Sequence, residues 1–309
     1  MFKLNSKYSR FKYLVFACAL FLVHYFFSLN DSIQLLFFGL GVLFFGIPHG
    51  SLDHFIYHHH RKEVMTLRSI AHFLLFYLGF AILYSILWII SVELSILLFI
   101  LISAYHFGEM DLKSMGLKAN LGSKMLFSVY GLLFLLNYLL YQFPQLEAIL
   151  LGFPGFENSQ IEKLRFFYGY QQEFLLVSIF IFVPLLIIYL ISNKQIGFPQ
   201  IEAILQLALL MVIVFNLPIL LGFGLYFNIW HAGLSMIEIK KFLGWQDKSY
   251  WFIYQKSWIT NGVSFLMIAF LFLVFKGNLE RLLAIFFMAI AILTAPHMKV
   301  ISSFFSKER

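Results

Sequence analysis

The chain has 309 residues, 61% of them hydrophobic and 12% charged, with a mean hydropathy of +0.86 and a formal net charge of +7. A soluble domain carries about 25% charged residues, so soluble fold classes are excluded. The basic residues are scattered along the polar segments and form no single basic face, which argues against nucleic acid as a partner, and the lone Cys18 excludes an internal disulfide.

A hydrocarbon core about 30 Å thick needs roughly 20 apolar residues in a helix rising about 1.5 Å per residue. Lys3, Lys7, Arg10 and Lys12 precede the first apolar run. No small-residue cleavage site follows it and further apolar runs come after, so a retained first helix is expected. Ten segments approach spanning length: 12–29, 32–49, 67–90, 93–108, 122–142, 173–192, 200–216, 218–239, 257–276 and 279–300. Pro218 leaves open one kinked helix in place of the seventh and eighth, so the count lies between eight and ten. The polar stretches 50–66, 109–121 and 143–172 read as loops or interfacial segments. The expectation is an all-α, polytopic transmembrane helical bundle, forming one domain over 1–309.

Charge tests that topology. With a cytoplasmic N-terminus, 18 of the 22 basic residues fall on inside segments, Lys118, Lys307 and Arg309 among them. Only Lys163, Arg165, Lys276 and Arg281 fall outside. This is the asymmetry of the positive-inside rule, and it places both termini in the cytoplasm of a multi-pass protein of the cell membrane.

The topology gives the histidines meaning. His49, His106, His231 and His297 lie in the second, fourth, eighth and tenth segments, all towards the cytoplasmic ends. Polar groups at membrane depth are costly and face a partner or a cavity. Imidazole is the commonest metal ligand and suits iron, copper or zinc, whereas helix capping at the interface is the plainer role for any one histidine. Pro48 can break or kink the second helix and Gly50 permits a tight exit from it. Asp53 and Glu109 are candidates to orient a metal-bound imidazole, with simple interfacial solvation as the alternative. Tyr105, Tyr226 and Trp230 lie near the histidines by spacing.

Pro48-His49-Gly50 with Asp53-His54, then His106-Phe107-Gly108-Glu109, Trp230-His231 and Pro296-His297-Met298 occur in this order. In these residues the chain resembles the Brp/Blh family of bacterial and archaeal β-carotene 15,15′-dioxygenases, over about residues 36–302. The resemblance implies an integral membrane enzyme that uses O₂ at a non-haem Fe(II) to split β-carotene into two retinal molecules. It maps the family's histidine ligands onto His49, His106 and His231. The family carries a further histidine four residues after the last of these, where this chain has Ser235. Water, Glu238 or His297 could fill that position, or the chain is a non-catalytic carotenoid- or retinal-binding relative. By the same analogy, a retinal-binding rhodopsin takes the product.

The run from Asp53 through His58, His59 and His60 imitates one histidine box of di-iron desaturases and hydroxylases. Those enzymes need several such boxes, so a solvated basic loop meeting anionic headgroups is the expectation for His58, His59 and His60. His24 and His72 read as packed or interfacial residues.

Overall fold

The computed structural model describes residues 2–113, 116–117 and 120–305, so Lys118, Lys307 and Arg309 lie outside the described residues. Every regular element among the described residues is a helix. Among the described residues, nine helices are long and apolar enough to cross a membrane: Ser9–Phe27, Asp31–Arg61, Leu67–Ile90, Val92–Lys113, Leu121–Tyr141, Gln171–Ser192, Phe198–Phe215, Ile219–Phe242 and Leu279–Ser302. Tyr250–Lys256 and Trp258–Val274, bent by 81° at their junction, together pass the same test as a tenth. Each of the ten apolar segments read from the sequence overlaps one of these. The protein is an all-α, polytopic helical membrane protein. Leu176, Val177, Phe180, Ile181 and Ile188 on Gln171–Ser192 are exposed apolar side chains of the kind lipid covers.

Three local expectations change. Pro218 divides two helices and does not kink one, because Phe198–Phe215 ends before it and Pro218 caps the start of Ile219–Phe223. The second helix does not break at Pro48. A π-helical turn, Val42–Gly46, precedes Ile47–Gly50, and the helical path continues to Arg61 with Gly50 inside it. A π turn already shifts the hydrogen-bond ladder, so a proline without an N–H is accommodated there. The polar stretches also carry helix: Asp53–Arg61, Phe143–Leu151 and Asn158–Tyr168, with Val92–Lys113 running five residues past 108. Charge explains two of these extensions. Asp53 opens its helix and His58–Arg61 close it, matching the helix dipole at both ends. Lys113 Nζ reaches Glu109 Oε1 at 2.7 Å, one turn back along Val92–Lys113.

The chain divides into two compact units. The first comprises Met1–Phe45, Ser103–Leu146 and Glu162–Ser235. In it, Leu121–Tyr141 packs along Gln171–Ser192, and Asp31–Gly41 lies against Ile219–Phe223 and the π-helical Gly224–His231. Two glycines set the crossing of Val92–Lys113 with Leu121–Tyr141. A Cβ on Gly108 would run into the Phe127 carbonyl, and one on Gly131 into that of Ala104. Small residues at such points let helix backbones touch inside a membrane.

The second unit comprises Gly46–Ile102, Glu147–Ile161 and Met236–Arg309. Leu279–Phe305 packs on Leu67–Ile90 and on Asp53–Arg61. Its core gathers Leu52, Ile56, Phe73, Met236, Ile239, Leu243, Ile253, Val300 and Ile301.

Candidate metal centre

The first unit holds one pair of buried histidines. His106, on Val92–Lys113, and His231, the last residue of the π-helical stretch, are 3% and 1% exposed. Their rings meet edge to face with centroids 4.6 Å apart. Phe107 lies 4.8 Å from the His231 ring, and Phe227 stacks on it at 6.1 Å. The pair therefore sits among aromatic walls. Ser235, one turn beyond His231, is 3% exposed, and its hydroxyl has no hydrogen-bond partner among the described residues.

The same unit places a carboxylate close by. Asp111 is fully buried and accepts hydrogen bonds from an indole and two phenols. Trp230 Nε1 donates to Oδ1 at 2.9 Å, and the Tyr226 and Tyr130 hydroxyls donate to Oδ2 at 2.8 and 3.1 Å. The buried Arg10 guanidinium is an opposite charge within electrostatic reach.

The second unit holds the other pair. His49 and His297 are also buried, with ring centroids 4.8 Å apart. His49 Nδ1 lies 3.0 Å from the Gly46 carbonyl. A carbonyl only accepts, so Nδ1 carries the proton and the imidazole lone pair lies on Nε2. His297 Nδ1 lies 2.8 and 2.9 Å from the two Asp53 oxygens, and the Tyr77 hydroxyl donates to Asp53 Oδ2 at 3.0 Å. This Tyr–Asp–His chain is the arrangement that orients a metal-binding imidazole through its other nitrogen.

The remaining candidates are engaged elsewhere. Glu109 Oε1 accepts from Lys113 Nζ and, at 3.3 Å, from the Tyr105 hydroxyl. Glu238 Oε1 is held by Lys241 Nζ at 2.6 Å. Among the histidines of 54–60, His58 is buried, with Nδ1 2.6 Å from the His54 carbonyl and Nε2 3.1 Å from the Ser69 hydroxyl. His59 packs on Phe242 at 4.8 Å. The expected solvated loop is thus a helix with one histidine built into its packing.

Asp111 and Tyr77 escaped the sequence reading. Asp111 falls in 109–121, which reads as a loop or interfacial segment, and its signal is the donor pair Tyr226 and Trp230 at four-residue spacing. Tyr77 carries no comparable signal, being one of 16 tyrosines.

Helices long enough to cross a bilayer, with buried imidazoles paired edge to face, define a polytopic membrane protein whose buried side chains include donors of the kind that metals take. Residues 40–305 match the family model described as beta-carotene 15,15'-dioxygenase, and the chain belongs to that family. No curated protein and no solved structure matches it.

Proposed function

We propose that the chain is an iron-dependent dioxygenase that cleaves β-carotene at its 15,15′ double bond, with Fe(II) held by His49, His106 and His231. The observation that carries this reading is that the family match runs through His49, His106, His231 and His297, all of them buried. The donor set suits the metal, since neutral imidazoles bind Fe(II) and leave positions open to oxygen. For the fourth ligand we favour His297. It adjoins His49 and is oriented by Asp53, whereas Glu238 is tied to Lys241 and a neutral Ser235 hydroxyl is a poor iron ligand.

Bound iron supplies O₂ activation. One O₂ and one β-carotene give two retinal molecules: the central C=C bond breaks and each carbon takes one oxygen atom, with no other oxidant or reductant. The chain's own part is to exclude water and align a rigid hydrocarbon that offers nothing to hydrogen-bond. Apolar walls do this. The first unit contains an apolar cavity of about 460 Å³, lined by Tyr130, Ile179, Phe182, Leu186, Met211 and Phe215 among others, which supports a role with apolar molecules. On this reading the enzyme works in the cytoplasmic membrane and a retinal-binding rhodopsin consumes the product.

Replacing Asp53 by Asn removes the charge behind His297 while keeping an acceptor. It is expected to weaken iron binding by about 10–100-fold, as loss of a ligand's hydrogen-bonded support does elsewhere. Titration of the purified apoprotein with Fe(II) under anaerobic conditions checks this; unchanged affinity would remove His297 from the ligand set.

Ser235 favours a second reading, a carotenoid- or retinal-binding protein without catalysis. Expression in a bacterial host that accumulates β-carotene separates the two. Retinal that appears with the wild type and disappears with His49→Ala supports cleavage. Carotenoid that co-purifies unchanged with iron-free protein supports the binder.

A further inference from the structure

We infer that Asp111 is a positioning residue that sets the rotation of His231 against His106. This rests on the reading of His231 as an iron ligand. The geometry lies wholly within the first unit. Of the donors on Asp111, Tyr226 and Trp230 belong to the π-helical stretch Gly224–His231, and Trp230 is the residue immediately before the histidine. Asp111 itself follows His106 on the same helix, Val92–Lys113. The two segments are therefore joined through polar side chains at two points. One joint is the imidazole pair at 4.6 Å, and the other is the carboxylate with its indole and phenol donors.

A second joint of this kind has a physical purpose. A π-helical stretch is rare and its ladder can shift, so the direction of a side chain at its end is poorly defined by the helix alone. Hydrogen bonds to a buried carboxylate are among the strong, directional ones. Anchoring residues 226 and 230 fixes both the twist and the depth of the segment that ends in His231. Phe107 completes the wedge, 5.3 Å from Tyr226 and 4.8 Å from His231. Tyr130 donates to the same carboxylate oxygen as Tyr226, but from Leu121–Tyr141, and so anchors Asp111 from a helix other than the π-helical stretch.

That difference yields the test. Tyr226→Phe and Tyr130→Phe each delete one hydroxyl and one hydrogen bond to the same oxygen, so a purely structural role predicts similar behaviour from both. The full-length protein, purified in detergent, is loaded with Co(II), and its d–d absorption is recorded for wild type, both variants and His231→Ala. Turnover of β-carotene by the iron-loaded forms is measured alongside. The positioning role predicts a shifted cobalt spectrum and about a tenfold fall in kcat with KM unchanged for Tyr226→Phe, because a small misplacement at a reacting centre is costly. Tyr130→Phe is expected to keep the wild-type spectrum. Asp111→Asn should shift it further than Tyr226→Phe. Identical spectra for Tyr226→Phe and wild type, or equal shifts for both tyrosine variants, would overturn the inference. If the wild type takes up no cobalt, or His231→Ala leaves its spectrum unaltered, the ligand reading itself fails and the inference falls with it.

Discussion

Replacing His231 by alanine is expected to abolish retinal formation and to strip the protein of bound iron, with the chain still folded and in the membrane. On the proposed reading His231 supplies one of three imidazoles, and loss of a ligand exceeds the roughly 10–100-fold penalty seen when only a ligand's supporting contact is lost. The fall in retinal output should thus be greater than about 100-fold. Folding should survive, since the ring is walled by Phe107 and Phe227 and the segment stays anchored through Tyr226 and Trp230. Elemental analysis of iron per chain, beside chromatography of retinal, checks both halves. His106→Ala should behave alike. An iron content equal to wild type in either variant would remove that histidine from the ligand set.

A valine at Gly108 is expected to be worse for the protein as a whole. The Cβ alone would overlap the Phe127 carbonyl, which is backbone and cannot rotate away. The helices must then separate, carrying His106, two residues earlier, with them. Overpacking typically costs about 1–3 kcal/mol when side chains can adjust, and here they cannot. A total stability of about 5–15 kcal/mol leaves little to absorb more than that. Gly108→Val should therefore give little folded protein in the membrane fraction and a lowered melting temperature in detergent. Gly50→Val, at a glycine with nothing within 4 Å of its Cβ, is the matched control. Equal yields and melting temperatures for the two would show that the close crossing does not limit stability.

The spans were legible in the sequence because a bilayer imposes length and apolarity on each of them, and these are properties of single segments. Their ends were less so. The helix carrying His106 runs to Lys113 because Lys113 reaches back to Glu109 and because Asp111 finds partners 115 and 119 residues away, which no local pattern announces. His49, His106, His231 and His297 could be named from depth and order alone. The pairing of His297 with Asp53, 244 residues apart, could not, nor could the engagement of Glu238 by Lys241 or the burial of His58. Pro48 reads as a point where the helix can break or kink, because a proline lacks a donor. The preceding π turn that accommodates it has no signature in hydropathy.

Those π turns bear on how the chain tolerates length changes. Val42–Gly46 comes just ahead of His49, and Gly224–His231 ends on a histidine. A π stretch packs more residues into each turn than an α-helix does, so each behaves as an insertion stored within a continuous helix. Losing a residue from either stretch would let the ladder relax to the ordinary α pattern. The helix would keep its span and its apolar character while turning the histidine to a different azimuth. A one-residue deletion there would thus pass unnoticed by membrane insertion and be felt where the imidazole points.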